Sequence, residues 1–153
     1  MRPGCRETEP GGAVIRIYLA ASYRRRQELC LYADDLKALG HEVTSHWLDG
    51  SHDWHGARDR VAPVGEQSLW AVEDLADIDR ADALFLFTEH SDKPSRGGAS
   101  AEFGYALAKG KSIAVIGPRT HVFTCLPYVK WFWSWQHFLA RVAPEVTAGS
   151  VDL

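Results

Sequence analysis

Apolar and polar positions fall into blocks along the chain, and the spacing within the blocks changes. Residues 13–21 (AVIRIYLAA) are β-branched and apolar after Gly11-Gly12, which predicts a buried strand. Ser22 can cap a following helix running to about Leu39, where Leu29, Tyr32, Ala33, Leu36 and Leu39 repeat at helical spacing. Gly40 then sits where a C′ glycine belongs. Residues 41–47 (HEVTSHW) alternate as a second strand. From 48 to 66 the periodicity fails and Gly50, Gly56, Pro63 and Gly65 gather. A loop this long in a compact domain is functional or mobile.

Order returns near Gln67 with a helix whose Leu69, Val72, Leu75, Ala76 and Ile78 are expected to face the core. Residues 83–88 (ALFLFT) are continuously apolar, as a parallel strand covered on both faces should be. A polar stretch with Pro94, Gly97 and Gly98 leads to a helix over about 100–109, closed by Gly110. A fourth strand is expected at 112–117 and a fifth at 129–133. Ser134 then caps a last helix with Trp135, Phe138, Leu139 and Val142 on one face. Trp131, Trp133 and Trp135 alternate, which places them on one face of a strand end, in the core or at a subunit interface.

Strands alternating with helices imply parallel βαβ units with right-handed crossovers. The expected fold is single-domain α/β: a flavodoxin- or Rossmann-like open parallel five-stranded sheet with helices on both faces. The domain is expected over 13–143, between a flexible N-terminus at 1–12 and a C-terminal tail at 144–153.

Composition narrows the function. A chain of 153 residues with 46% hydrophobic positions can bury a core without staples. Seventeen Lys+Arg against twenty Asp+Glu give a net charge of -3, the wrong balance for a protein that grips a nucleic acid polymer by its phosphates. No run approaches the ~20 apolar residues of a membrane span, and the start has no signal-peptide core. Cys5, Cys30 and Cys125 are odd in number and widely spaced, as free thiols of a reducing compartment would be. The expectation is a cytoplasmic domain.

Ligands of open parallel sheets bind outside the carboxyl ends of the strands, where strand order reverses. Two such ends are chemically rich here, at 18–26 and 88–102. In Ser95-Arg96-Gly97-Gly98-Ala99-Ser100-Ala101-Glu102, a glycine turn delivers the chain into a helix N-terminus, where free N–H groups favour an anion. Glu102 is expected in or near the first turn, held ionised by the helix dipole. An ionised carboxylate in a cleft can attack an anomeric carbon and form a glycosyl ester. The same residues also fit a plainer reading, in which Glu102 only complements the dipole.

At these residues the sequence resembles the nucleoside 2-deoxyribosyltransferase family, which includes 2′-deoxynucleoside 5′-phosphate N-hydrolases and related nucleotide N-glycosidases. Three blocks carry the resemblance: Ile17-Tyr18-Leu19-Ala20-Ala21-Ser22; Asp74 followed by Ala81-Asp82; and residues 98–108 with Glu102-Phe103-Gly104-Tyr105-Ala106. With the strands between them they span roughly 15–132. The resemblance implies Glu102 as nucleophile, Tyr18 as the residue that positions it, and Asp74 as the group that assists leaving-group protonation. Read without the resemblance, Asp74 belongs to an acidic face with Glu73, Asp77, Asp79 and Asp82, and Tyr18 is a packing residue.

Six residues before the nucleophile, family members acting on free nucleosides place a carboxylate, and the nucleotide hydrolases a small hydroxyl residue. This sequence has Arg96 there, suited to a 5′-phosphate through charge-assisted hydrogen bonds. Ser95, Arg96, Gly98 and Ser100 around the glycine turn are therefore substrate-binding candidates. Arg24 matches a phosphate-side arginine of the hydrolases, although Arg24-Arg25-Arg26 also reads as a basic, exposed helix start. Thr124 falls where the family offers a polar residue to a neighbouring subunit, which implies a homodimer or higher homo-oligomer. Trp47 or Trp54 is expected either to stack on the base or to pack in an irregular loop.

His52-Asp53-Trp54-His55 carries metal-capable groups without a supporting ligand cluster, so no metal is expected. Walker-type and GxGxxG patterns are absent, and no cofactor is expected. The leading expectation is cleavage of the N-glycosidic bond of a nucleoside 5′-monophosphate through a glycosyl-Glu102 intermediate. The alternatives are 2′-deoxyribosyl transfer between bases on free nucleosides, and nucleotide binding without turnover.

Overall fold

In a computed structural model of the protein, residues 13–53, 61–89 and 96–147 are described, with side chains to 142. The chain builds β1 (Arg16–Ala20), α1 (Arg26–Ala38), β2 (Glu42–Val43), α2 (Val64–Arg80), β3 (Ala83–Phe87), α3 (Gly98–Ala108), β4 (Ser112–Ile116), β5 (Lys130–Phe132) and α4 (Trp135–Thr147). Short 3₁₀ turns occupy Tyr23–Arg25, His46–Asp49 and Val122–Cys125. All strand pairs are parallel, in the order β2-β1-β3-β4-β5. This is the flavodoxin-like order, whose switch point lies between β1 and β3. The expected α/β architecture is the observed one.

The pleat assigns the faces. Tyr18 pairs with Leu84, and Leu19 with Phe85, so Tyr18 and Phe85 point to opposite sides of the sheet. Phe85 and Phe87 meet Phe138 and Trp135 of α4 and Tyr32 of α1, and the Trp135 indole donates to Asp35 of α1 at 2.8 Å. Helices α1 and α4 therefore cover one face. On the other, α2 packs against α3 over Tyr18. Gly117 ends β4 with φ +114°, and a Cβ there would lie 2.6 Å from Thr88 Oγ1. That hydroxyl donates to Pro118 C=O at 2.6 Å, pinning the end of β3 to the end of β4.

Several local expectations are corrected. Strand β2 stops at Val43, because beyond it side chains complete the backbone of β1 in place of a ladder. Leu19 N–H donates to Ser45 Oγ at 2.7 Å, and the Trp47 indole donates to Leu19 C=O at 2.9 Å. Helix α2 begins at Val64 rather than near Gln67, and its rotation differs from the apolar pattern. Leu69, Val72 and Leu75 are exposed, whereas Asp77 and Ile78 are fully buried. The helix turns Asp77 inward, where His46 and Arg80 partner its carboxylate, and its leucine and valine side chains are left outside. Ser22 makes no side-chain cap; a 3₁₀ turn intervenes before α1. Trp135 already belongs to α4 and is buried, whereas Trp133 is 63% exposed, so the three tryptophans do not share one strand face. Helix α4 runs on through Pro144 to Thr147, past the expected domain end at 143. The expectation for 1–12 lies outside the described residues. Among these, no helix is long and apolar enough to cross a membrane.

Candidate active site

Three elements on the α2/α3 face bring together the three residues expected to do chemistry. Tyr18 sits in the middle of β1 with no exposed surface. Asp74 lies in the middle of α2 with its side chain 17% exposed, and Glu102 lies in α3, largely buried. Tyr18 is close enough to Glu102 and Asp74 to interact with both, yet its hydroxyl forms a well-shaped hydrogen bond with neither. Asp74 Oδ1 is also buried without a hydrogen-bond partner. Native proteins leave few such atoms unsatisfied, and those they leave often mark chemical roles.

Burial dominates the electrostatics. Glu102 is pushed up to about 8, chiefly by burial and then by the charge of Asp74, with the Tyr18 hydroxyl pulling the other way. Asp74 is pushed up to about 6, first by burial; Asp77 and Glu73 add to the rise, while His52 and the Tyr18 hydroxyl oppose it. The Tyr18 phenol is raised for the same reasons, burial first and the two carboxylates next. The sequence led us to expect an ionised Glu102 and a protonated Asp74. In the structure burial raises both carboxyls. Glu102 lies one residue beyond the first turn of α3, where the dipole has faded, so desolvation decides.

Behind this cluster stands a support that the sequence did not reveal. Asp77, one turn beyond Asp74, is fully buried rather than part of a solvated acidic face. It accepts from His46 N–H at 2.8 Å and lies 2.7 Å from His46 Nδ1, and Arg80 closes on the same carboxylate. The hydrogen bond and charge of Asp77 raise the His46 pKa. Asp79 and Asp82 are the exposed acids, paired with Lys109 and Arg16. The one available signal was the Asp74-Asp77-Ile78 spacing, which puts two acids on the face of a core isoleucine.

The substrate-binding candidates are scattered. Arg24 lies in the 3₁₀ turn after β1, 3.5 Å from Glu89. With Arg25, Thr88, Glu89, Gly117 and Trp133 it lines a cleft of about 590 Å³ at the ends of β3 and β4. Tyr18, Asp74 and Glu102 do not line that cleft, which opens toward α1 and α4. Arg96 is exposed just before Gly97, whose φ of +93° opens α3; Gly98 and Ser100 are exposed in the first turn of that helix. Ser95 and Trp54 lie outside the described residues.

Two candidates are corrected. Thr124 has no exposed surface and donates to His121 C=O at 2.6 Å, so it offers nothing to a neighbouring subunit. Trp47 is 4% exposed and spent on Leu19, so it presents no stacking face. Among the described residues, no group of three or more His, Cys, Asp or Glu is arranged to hold a metal ion.

No protein-family model matches the sequence, and a search of curated proteins found no match. Solved structures do match. A 2-deoxyribosyltransferase from Bacillus psychrosaccharolyticus superposes with a TM-score of 0.62 at 20% identity, over 79% of this chain and 88% of that one. The Clostridium botulinum CMP N-glycosidase BcmB superposes with a TM-score of 0.52 at 20% identity, over 84% of this chain and 98% of that one. The chain thus shares its parallel five-stranded fold with a 2-deoxyribosyltransferase and with a CMP N-glycosidase.

Proposed function

We propose that the protein cleaves the N-glycosidic bond of a nucleoside 5′-monophosphate and releases the free base. The observation that carries this reading is the convergence of Glu102, Asp74 and Tyr18 from three elements into one buried cluster. Two carboxyls and a phenol suit displacement at a sugar carbon. One carboxylate attacks C1′, and the other carboxyl protonates the departing base. Glu102, raised by burial, must lose its proton before it attacks. The Tyr18 hydroxyl beside it favours that loss, since its effect is to lower Glu102. Water then attacks the glycosyl ester, with Asp74 accepting its proton. The named activities of the two structural neighbours, a 2-deoxyribosyltransferase and a CMP N-glycosidase, support glycosidic chemistry.

A 5′-phosphate is favoured over a free 5′-hydroxyl by Arg96, which stands exposed beside the α3 N-terminus where free-nucleoside enzymes of the resembled family carry an acid. Base transfer on free nucleosides is the second reading, and it requires the same Glu102. The protein is also read as a homo-oligomer: Val64, Leu69 and Val72 of α2 and Val122 and Phe123 after β4 are all more than half exposed.

The deciding experiment measures base release from ribo- and deoxyribonucleosides and their 5′-monophosphates, with and without a second free base, beside Glu102→Ala. Base released from monophosphates in water alone, and lost in the variant, is the expected result. Turnover only with an acceptor base would select the transferase reading. Binding without turnover, unchanged in Glu102→Ala, would overturn both.

A further inference from the structure

His52 stands out among the buried titratable groups that the proposed chemistry has not used. Its side chain is 7% exposed and its ring stacks on Trp70, with centroids 5.3 Å apart and planes 19° from parallel. The two ring nitrogens face two carboxylates of α2. Nε2 lies 3.3 Å from Glu73 Oε2, and Nδ1 lies 4.0 Å from Asp74 Oδ1, the oxygen left without a hydrogen bond. Glu73 is 40% exposed, so the imidazole joins a solvated carboxylate to a buried one.

We propose that His52 is a positioning residue for Asp74: held flat by Trp70, it keeps the Asp74 carboxyl in place and supplies the proton that Asp74 passes to the leaving base. The proposal rests on the N-glycosidase reading. In the first step the bond from C1′ to the base nitrogen breaks and the bond from C1′ to Glu102 forms. The base leaves with a proton from Asp74, which takes one in turn from the His52 imidazolium, so charge is conserved. In the second step water attacks C1′ and the ester bond breaks. The proton lost by water returns through Asp74 to His52, restoring the starting state. The gap between Nδ1 and Oδ1 exceeds a hydrogen bond, so the transfer needs a side-chain rotation that closes it.

The charged surroundings fit. Asp74 faces Tyr18 of β1, Glu102 of α3, and Asp77 and Glu73 of its own helix, and His52 sets its ring nitrogens against these acids. His52 itself is faced by Glu73, Asp74 and Asp49, all acidic. Trp70 removes water from one ring face and fixes the plane in which the nitrogens point.

The test compares wild type with His52→Gln and His52→Asn, the second protecting against a folding defect in the first. Among the monophosphates that wild type hydrolyses, kcat should fall about 10- to 100-fold for poor leaving bases and much less for good ones, with KM nearly unchanged. Added imidazole should restore part of the loss. A merely structural role would lower all substrates alike and resist rescue. Without any substrate, the Asp74 carboxyl, followed by ¹³C NMR and assigned with Asp74→Asn, should titrate about one pH unit higher in either variant. An active wild type with an unmoved Asp74 midpoint, or with a loss equal for all leaving bases, overturns the role of His52 and leaves the glycosidase reading standing. A wild type that releases no base overturns the glycosidase reading itself.

Discussion

At the scale of single residues, the protein places an acid where burial works against its ionisation. Glu102 is raised to about 8 against an ordinary 4.5, so the folded chain holds this proton more tightly than the unfolded one. The stability that comes with the bound proton is complete below about pH 4.5 and is lost as pH rises toward 8. Glu102→Gln keeps the shape and removes the titration. It should therefore raise Tm above wild type at pH 8–9, on the order of 5 °C, and change it little at pH 4. Thermal melts across that range check the sign. Tyr18→Phe removes the one group that lowers Glu102. It should cost about tenfold or more in kcat at neutral pH and move the acidic limb of the pH profile upward, as steady-state base release would report.

At the scale of elements, much of the site is carried by connections rather than by strands and helices. The amino half of the β1 edge pairs with β2, but its carboxyl half is completed by Ser45 and Trp47. Trp47→Phe preserves most of the apolar volume and leaves Leu19 C=O only the longer hydrogen bond from Ser45 Oγ at 3.4 Å, so we expect a loss of about 1 kcal/mol in urea unfolding. Gly117→Ala meets both a left-handed φ and the Thr88 hydroxyl, which is fixed to Pro118. It should destabilise by roughly 2 kcal/mol or more, because neither the backbone nor Thr88 can yield cheaply. The same urea experiment distinguishes it from Gly104→Ala in α3, where a Cβ meets nothing within 4 Å and stability should hold or rise.

At the scale of the whole molecule, the sheet separates the carboxyl cluster from the cleft by face. The carboxyl cluster lies under α2 and α3, while the cleft lined by Arg24 and Glu89 opens beside α1 and α4. The apolar residues left outside by the turn of α2 are the surface on which the homo-oligomer is proposed. Light scattering should give a dimer or higher mass for wild type. Leu69→Lys with Val72→Lys should yield monomer, with the fold retained, since both side chains are exposed in the single chain.

The alternation of strand and helix blocks was enough to predict five strands, four helices and a parallel α/β sheet, because burial on both faces forces continuous apolar runs such as 83–87. Glu102, Asp74 and Tyr18 were also legible, through the blocks around them, and the fold draws the three together. What failed were readings that treated an element in isolation. The apolar stripe of α2 pointed Leu69 and Val72 inward, but a helix settles by its best partners. Here Asp77, with His46, Thr44 and Arg80 around it, outweighs two aliphatic side chains. Trp47 and Thr124 looked free to meet a ligand because sequence does not show which backbone carbonyls remain unpaired.

By itself, then, the sequence determined the order and type of the elements, since these follow from local period and residue type, and it supplied Glu102 and Asp74 as candidates. Only the tertiary structure decided how α2 is turned, that burial raises both Glu102 and Asp74, and that a histidine from an irregular loop faces Asp74. Those depend on desolvation and on partners brought together from distant parts of the chain, and neither is encoded in any local window.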